Sequence, residues 1–207
     1  MERRKAYFLL PALLVGALGL VFAGGAAGDR TGHGGPRGAG KVVASQVVRE
    51  AAGRERWGES ISWLTIEQAA GKLKVVKKPV IIDLYTTWCG WCKQMDKKTY
   101  SNKQVAEYLQ EKFYTVKIDA ETQATISWAG KTYRYNPQYR SNEFALYLTH
   151  GKLEFPTTII IVPGEEPQAI PGYLEPRELE LVVKYFGEGV YRAQSFDVYQ
   201  KNFHATW

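Results

Sequence analysis

The two cysteines of the chain, Cys89 and Cys92, lie three positions apart in the segment WCGWC. Thiols at this spacing can form a redox-active pair, half of a metal site or a structural disulfide. A structural disulfide is unnecessary, because 45% of the residues are hydrophobic and can bury a core without one. A zinc site needs four ligands, and no histidine has the spacing of a zinc partner (His33, His150 and His204). The pattern therefore favours redox chemistry and predicts no bound metal.

The elements around the pair would activate the first cysteine. The segment before it, KKPVIIDLYTT, is rich in β-branched and aromatic residues and predicts a strand buried on both faces. A helix that begins at or near Cys89 would direct unpaired backbone N–H groups and the positive end of its dipole at that sulfur, which favours the thiolate. Cys92, one turn later, can then close a disulfide with Cys89.

Four neighbours of the pair are further candidates for the site. The carboxyl group of Asp83, inside the buried strand, is expected to be desolvated, with a raised pKa suited to acid–base work near neutral pH. A carboxylate that only bonds to the backbone is the alternative. Gly90 allows a partner to approach closely, and Trp88 and Trp91 offer apolar contact surface. Simple packing is the alternative for Trp88.

The net charge of +6 does not indicate nucleic-acid binding. Residues 1–60 contain nine Lys/Arg against five Asp/Glu, whereas residues 61–207 contain eighteen against sixteen. Most of the positive excess therefore lies in the N-terminal extension, and no basic patch with interleaved aromatic residues occurs.

The N-terminal segment has the composition of an export signal. MERRK is a short basic start, and the chain from Ala6 to Gly28 carries no charge. Its apolar part is near the upper length of signal-peptide cores and the lower limit of a membrane span. Residues 1–28 are therefore predicted to be a cleaved signal peptide or a single membrane anchor, and residues 29–60 a flexible glycine-rich tether. Either outcome predicts a periplasmic or other extracytoplasmic location, where a cysteine pair can cycle between dithiol and disulfide.

Residues 61–187 contain alternating strand and helix patterns. Thr65 is a candidate helix cap, a hairpin is predicted to turn at Ala129–Gly130, and a helix is predicted over Pro176–Gly187. The order of these elements predicts an α/β fold with a central mixed sheet flanked by helices. Residues 188–207 are predicted to form a C-terminal helical extension.

Three segments, in order, resemble the thioredoxin family. VIIDLYTTWCGWCK is similar to the family's strand, active-site loop and helix start, EFPTTIII to its Pro-Thr strand, and IPGYLEPRELELVVKYF to its last strand and C-terminal helix. The resemblance covers residues 61–187 and implies a thioredoxin-like fold with an insertion, residues 120–151, before the cis-proline strand. KKPVIIDLYTTWC and KTYSNKQVAEYLQEKF look most similar to the periplasmic C-terminal domain of the transmembrane thiol:disulfide interchange reductases.

The resemblance implies a role for each matching residue. Cys89 becomes the attacking thiol and Cys92 the resolving thiol. Asp83 matches the family's buried carboxylate, which relays a proton to or from the resolving thiol. Pro156 matches the cis-proline, with an ordinary trans proline at a strand edge as the alternative. The backbone before it, at Phe155, is implied to pair with the extended chain of the substrate.

Two positions depart from the family pattern. Trp91 stands where thioredoxin has proline, so the reduction potential cannot be transferred from thioredoxin. The thioredoxin lysine near the buried acid aligns with Thr115, so Lys117 is left out of the site and is expected to be a solvated strand residue. The insertion, with Trp128 and Tyr133, is expected to be either a flap that docks a partner or a hairpin that covers a sheet edge.

Together these features predict an exported thiol:disulfide oxidoreductase that exchanges disulfides with protein thiols and disulfides. It is expected to act as a reductant, with a membrane or periplasmic redox partner and no cofactor beyond the Cys89–Cys92 pair. Oxidase or isomerase activity is an alternative, because the direction depends on the potential relative to the compartment. A second alternative is a non-enzymatic module that holds a partner through the Trp91 surface and the insertion at residues 120–151.

Overall fold

The structure is a computed structural model that describes residues 60–207. The predicted signal or anchor, residues 1–28, and the tether as far as residue 59 lie outside the described residues. Within the described residues, no helix combines the length and apolarity that a membrane span requires. The elements follow one another in this order: α1 Ile66–Leu73, β1 Val80–Tyr85, α2 Gly90–Met95, a π-helical turn Asp96–Tyr100, α3 Lys103–Lys112, β2 Tyr114–Asp119, β3 Ile126–Trp128, β4 Lys131–Tyr133, β5 Tyr135–Asn136, β6 Ser141–Asn142, α4 Glu143–Leu148, β7 Thr157–Ile161, β8 Gln168–Pro171, α5 Pro176–Gly187, a 3₁₀ turn Val190–Arg192 and α6 Phe196–Asn202.

The central sheet contains four strands in the order β2-β1-β7-β8. Strand β1 pairs in parallel with β2 and antiparallel with β7, which in turn pairs antiparallel with β8. The sheet is therefore mixed, and helices pack on both of its faces, as predicted. Every residue of β1 except Tyr85 is buried, as is every residue of β7, which is expected of central strands covered on both faces.

The alternation of side chains along β1 divides the core into two layers. Ile82 and Leu84 pack with α1, α4 and the insertion, while Ile81 packs with α2, α3 and α5. Asp83 follows the period of Ile81 and so points into the second layer. Burial of each aliphatic side chain contributes roughly 1.5–3 kcal/mol to the stability of the fold. The two layers therefore fix the position of β1, the strand that leads to the cysteines.

Local signals start the helices and the hairpin where the sequence predicts them. Thr65 caps α1 with a reciprocal capping box: its hydroxyl accepts a hydrogen bond from the Gln68 N–H at 3.2 Å, and the Gln68 side chain accepts one from the Thr65 N–H at 2.9 Å. Pro176 occupies the first turn of α5. The β3–β4 hairpin turns at Ala129–Gly130, whose φ angles of 49° and 77° are those of the two-residue turns that match strand twist.

The insertion contributes to the core. The rings of Trp128 and Tyr133 lie 6.2 and 5.1 Å from the ring of Phe144, inside the layer that also holds Ile82. The hairpin thus packs on a face of the central sheet, and its role as a docking flap or an edge cover stays a prediction. The packing on the sheet follows from the alternation along β3, where Ile126 and Trp128 are buried and the serine between them is exposed.

The C-terminal residues pack against α5. A carboxylate on that helix, Glu180, is fully buried and accepts hydrogen bonds from Lys184 Nζ at 2.6 Å, the Thr206 N–H at 2.8 Å and the Trp207 N–H at 3.0 Å. The Trp207 ring also lies 5.3 Å from the ring of Tyr108 on α3. The C-terminal extension is therefore held by hydrogen bonds to the buried Glu180 carboxylate as well as by apolar contact.

Candidate active site

The cysteine pair lies at the start of α2, directly after the short loop that follows β1. Cys89 is the N-cap of α2, and its Sγ accepts a hydrogen bond from the Cys92 N–H at 3.0 Å. The two residues form a disulfide with their Cα atoms 5.3 Å apart, and both are buried. The sulfur of Cys89 therefore meets a helix N-terminus, the geometry that favours its thiolate once the disulfide is reduced.

Two aromatic pairs flank the disulfide. The ring of Trp88 packs edge-to-face on Phe155 at 5.9 Å, and the ring of Trp91 lies 5.6 Å from Tyr173. Trp88 and Trp91 are nevertheless 65% and 62% exposed, so each offers a large apolar surface to solvent. A Cβ atom added at Gly90, between them, would meet nothing within 4 Å, so the space above this turn is open within the described residues.

The Phe155–Pro156 peptide bond is cis. It immediately precedes β7, whose first residue, Thr157, pairs with Leu84 near the end of β1. The carbonyl of Pro156 accepts a hydrogen bond from the Gly172 N–H at 2.8 Å, which ties this turn to the end of β8. Phe155 and Pro156 thus lie at the same end of the sheet as the disulfide.

Asp83 is a buried acid. It is 1% exposed, and its Oδ2 lies 2.8 Å from Lys117 Nζ, while neither carboxylate oxygen has a further partner among residues 60–207. Burial raises the pKa of Asp83 from 3.8 to about 6, and the Lys117 ammonium opposes part of that rise. The carboxyl group can therefore exist in both protonation states near neutral pH, as predicted for a group that relays protons.

The expectation that Lys117 is solvated and outside the site is wrong. Strands β1 and β2 are parallel and pair Asp83 directly with Lys117, so both side chains project from the same face of the sheet. The side chain of Lys117 is only 20% exposed and contacts the carboxylates of both Asp83 and Asp96. Although burial lowers the pKa of Lys117, these two carboxylates raise it above its ordinary value, so the ammonium stays charged. In-register pairing of VIIDLY with YTVKID was the signal that could have identified Lys117 as a site residue, because Asp83 and Lys117 are the fourth residues of their strands.

Aromatic and hydroxyl groups complete the surroundings of this ion pair. Lys117 Nζ lies 4.9 Å from the ring centre of Tyr85 and 5.4 Å from that of Trp63, distances at which a cation is attracted to the ring face. The hydroxyls of Tyr100 and Thr158 are buried, and neither has a hydrogen-bond partner within the described part of the chain. Burial also raises the pKa of Tyr100 well above 10, so its hydroxyl stays protonated.

No metal centre accompanies the pair in this region. Across residues 60–207, no three side chains of the metal-binding types His, Cys, Asp and Glu come together in one cluster. His150 instead places its Nε2 3.0 Å from the carbonyl oxygen of Pro167, at a distance from the cysteines along the chain.

The chain belongs to the thioredoxin-like domain family. The family's sequence model matches residues 66–187, which include every element from α1 to α5 and every residue of the site described above except Trp63. The narrower likeness to the interchange reductases stays a prediction.

Curated relatives share parts of this region. The chain is 34% identical over 95 residues to "Thioredoxin Y, chloroplastic" of Oryza sativa subsp. japonica, which covers 44% of this chain and 55% of the relative. It is 42% identical over 50 residues to "Thioredoxin Y1, chloroplastic" of Arabidopsis thaliana, covering 24% and 27% of the two chains. It is 27% identical over 60 residues to "Spermatogenesis-associated protein 20" of Homo sapiens, covering 29% and 8%. The chain thus spans about half or less of the length of these relatives.

Solved structures with a similar arrangement include a thioredoxin-fold protein from Helicobacter pylori, with a TM-score of 0.47 at 13% identity, covering 71% of this chain and 93% of that one. A thioredoxin from Thermus thermophilus gives a TM-score of 0.46 at 19% identity, covering 66% and 98%.

Proposed function

We propose that the protein is a thiol:disulfide oxidoreductase that exchanges disulfides with protein partners. The observation that carries the proposal is the Cys89–Cys92 disulfide at the start of α2, with the Cys89 sulfur on the Cys92 N–H. In the reduced protein, the Cys89 thiolate attacks a partner disulfide, which forms a mixed disulfide and releases one partner thiolate. Cys92 then attacks Cys89 Sγ, which closes the internal disulfide and releases the second partner thiol. Two electrons pass from the pair to the partner.

Asp83 is proposed to take the proton that Cys92 must lose before it can attack. A base for this step has to be partly ionised near neutral pH, and the Asp83 pKa of about 6 meets that requirement. Lys117 is proposed as a positioning residue: its ammonium, 2.8 Å from Asp83 Oδ2, keeps burial from raising the pKa of that carboxyl further. In the opposite direction, protonated Asp83 returns the proton to Cys92.

The aromatic pairs are proposed to bind the partner chain. Trp88 and Trp91 are exposed on either side of Gly90, above which the surface is open, so an extended segment can reach the disulfide between them. Phe155 and Pro156 would border that segment on the β7 side. Burial of two large aromatic surfaces gives affinity without fixing the partner's sequence, which suits a protein that acts on several substrates.

The direction and location of the reaction are also proposals. Export is supported by the N-terminal basic and apolar segments, and action as a reductant by the likeness to the interchange-reductase domain. The potential of the pair, measured by equilibration with glutathione buffers, tests the direction. A strongly reducing value is expected, and a value near the oxidising extreme of about −120 mV would instead indicate an oxidase.

A turnover assay on a protein disulfide tests the proposed activity. Cys89→Ser should reduce the rate to the uncatalysed level, because the remaining thiol, Cys92, cannot form the internal disulfide that completes the exchange. Trp91→Ala should slow the reaction with a protein disulfide more than with a small disulfide such as oxidised glutathione. Tyr139→Ala is the matched control, since Tyr139 is another exposed aromatic residue, 53% accessible, outside the site. Equal rates for the wild type and Cys89→Ser would remove the proposed activity.

The exposure of Trp88 and Trp91 equally suits a binding module that performs no exchange. Partner binding by the double variant Cys89→Ser/Cys92→Ser distinguishes the two functions. If the variant binds partners as tightly as the wild type while the wild type shows no turnover, the protein is a binding module.

A further inference from the structure

A second exposed apolar patch lies in the turn between α1 and β1. Val75 is 86% exposed and Val76 is 56% exposed, although both are aliphatic. The turn is held by hydrogen bonds from the N–H groups of Val75 and Val76 to the carbonyl of Lys72, at 3.1 and 3.0 Å. The valines are therefore presented by an ordered turn, and their exposure needs another explanation.

Lysines surround these valines. Lys72, Lys74 and Lys77 are exposed, and none of them forms an ion pair with any residue in 60–207. Lys78 is different, because its Nζ donates a hydrogen bond to the carbonyl of Gln110 at 2.9 Å. We call the patch formed by Lys72, Lys74, Val75, Val76 and Lys77 the lysine–valine surface.

The acidic groups nearby do not neutralise this surface. Glu165 and Glu166 line the groove next to Lys74 and Lys77, and Lys131 of the hairpin lines it as well. Together with Lys72, these are four lysines against two glutamates, a net charge of +2. A second groove lined by Lys77 adds Glu188 and Arg192, whose charges cancel. The surface thus combines uncompensated positive charge with exposed aliphatic side chains.

The lysine–valine surface lies at the end of the sheet opposite the disulfide. The turn precedes β1, whereas Cys89 follows it, and β1 is six residues long. At about 3.3 Å per residue, the strand separates the two by roughly 17–20 Å. Contacts made by this surface therefore leave the disulfide and its flanking tryptophans free.

We propose that the lysine–valine surface binds the headgroup region of a bilayer containing anionic lipids. The lysines would pair with lipid phosphates, while Val75 and Val76 enter the boundary between the headgroups and the acyl chains. A lipid surface fits better than a nucleic acid, because the exposed side chains of the patch are lysine and valine. The neighbouring aromatic residues Tyr114, Trp128 and Tyr147 are buried or half-buried, whereas a base stacks on an exposed ring. A lipid surface also fits better than an acidic protein, because exposed valines flanked by lysines match an interface that is anionic outside and apolar just beneath. Bound in this way, the domain presents its disulfide away from the membrane.

Amine labelling of the full chain, followed by mass spectrometry, tests the proposal. The protein is mixed with phosphatidylcholine vesicles that contain about one third phosphatidylglycerol, or with vesicles of phosphatidylcholine alone. The anionic vesicles should protect Lys72, Lys74 and Lys77 from a water-soluble acylating reagent, and the neutral vesicles should not. Lys97, Lys152 and Lys201, exposed elsewhere on the domain, are internal controls that should react equally in both. Added salt should abolish the protection, because ions screen exposed charges.

Two sets of variants separate the contributions of charge and apolar contact. In Lys72→Gln/Lys74→Gln, the ratio of protected to labelled Lys77 should fall about 30-fold at fixed lipid, since each lysine near an anionic surface contributes roughly fivefold. The control Lys152→Gln/Lys201→Gln should leave that ratio unchanged. Val75→Ser/Val76→Ser should lower it, whereas Val198→Ser, at another exposed valine, should not.

Three results would overturn the proposal. The first is equal labelling of Lys72, Lys74 and Lys77 with anionic and neutral vesicles. The second is protection of Lys93 and Lys98 instead, which would place the disulfide end on the bilayer. The third is protection by soluble polyglutamate but not by anionic vesicles, which would indicate an acidic protein partner.

Discussion

Replacement of Asp83 by asparagine should make the oxidised protein more stable, and increasingly so as the pH rises. The folded protein binds the Asp83 proton more tightly than the unfolded chain does, because burial raises the pKa of the carboxyl group from 3.8 to about 6. The corresponding stabilisation is fully present below pH 3.8 and is lost as the pH rises through about 6. Asparagine does not ionise, so the variant escapes that loss.

The size of the effect follows from the pKa. A rise from 3.8 to about 6 is about two units, and each unit corresponds to about 1.36 kcal/mol. Ionised Asp83 therefore costs the folded state about 3 kcal/mol. In the variant, Lys117 keeps its second carboxylate partner, Asp96, so the substitution does not leave the ammonium without a counter-charge.

Urea unfolding followed by tryptophan fluorescence measures this difference, with the disulfide intact throughout. The free energy of unfolding of Asp83→Asn minus that of the wild type should increase by about 3 kcal/mol between about pH 3.5 and pH 7.5. Asp197→Asn, at an exposed aspartate on α6, controls for the loss of a carboxylate as such. A difference that is independent of pH, or that shrinks as the pH rises, would refute the assignment of Asp83 as a buried acid with a raised pKa.

Variants of Lys117, Gly187 and Glu180 test the packing and electrostatics. Lys117→Met should raise the pKa of Asp83 above about 6, because it removes the ammonium 2.8 Å away. NMR titration of the Asp83 carboxyl group measures this pKa, and Lys117→Arg should restore the wild-type value. An unchanged pKa in the methionine variant would contradict the ion pair. Gly187→Ala should lose roughly 1–3 kcal/mol of unfolding free energy, because the added Cβ would lie 2.9 Å from Tyr108 Oη and 3.0 Å from the Phe113 ring. Gly71 in α1 has open space around it, so Gly71→Ala should gain roughly 0.5–1 kcal/mol. Equal effects of the two substitutions in urea unfolding would contradict the packing around Gly187. Glu180→Gln should lose about 2 kcal/mol, because it weakens the bonds to Lys184, Thr206 and Trp207, and unchanged urea unfolding would mean that the C-terminal residues are not held by this carboxylate.

Features that depend on neighbouring residues could be predicted from the sequence. The buried strand β1, the Thr65 cap and the turn at Ala129–Gly130 are each specified by a few adjacent side chains, and the structure confirms all three. The burial of Asp83 followed in the same way from its place inside an apolar strand.

Features that depend on strand register or on distant contacts could not be predicted in this way. Lys117 was misjudged because alignment with the family placed the site lysine at Thr115, whereas the parallel register pairs Lys117 with Asp83. The contact of Trp91 with Tyr173 joins residues that are far apart in the sequence. Asp96 reaches Lys117 from a π-helical turn, which adds a residue per turn and which no local pattern had indicated.

Trapping of mixed disulfides tests most directly the central claim that Cys89 attacks and Cys92 resolves. Each single variant, Cys89→Ser and Cys92→Ser, is reduced, exposed to a protein disulfide and analysed by mass spectrometry under non-reducing conditions. The account predicts that Cys92→Ser accumulates a covalent complex through Cys89, because the resolving thiol is missing, and that Cys89→Ser accumulates none. Accumulation through Cys92 in the Cys89→Ser variant, with none through Cys89, would contradict it.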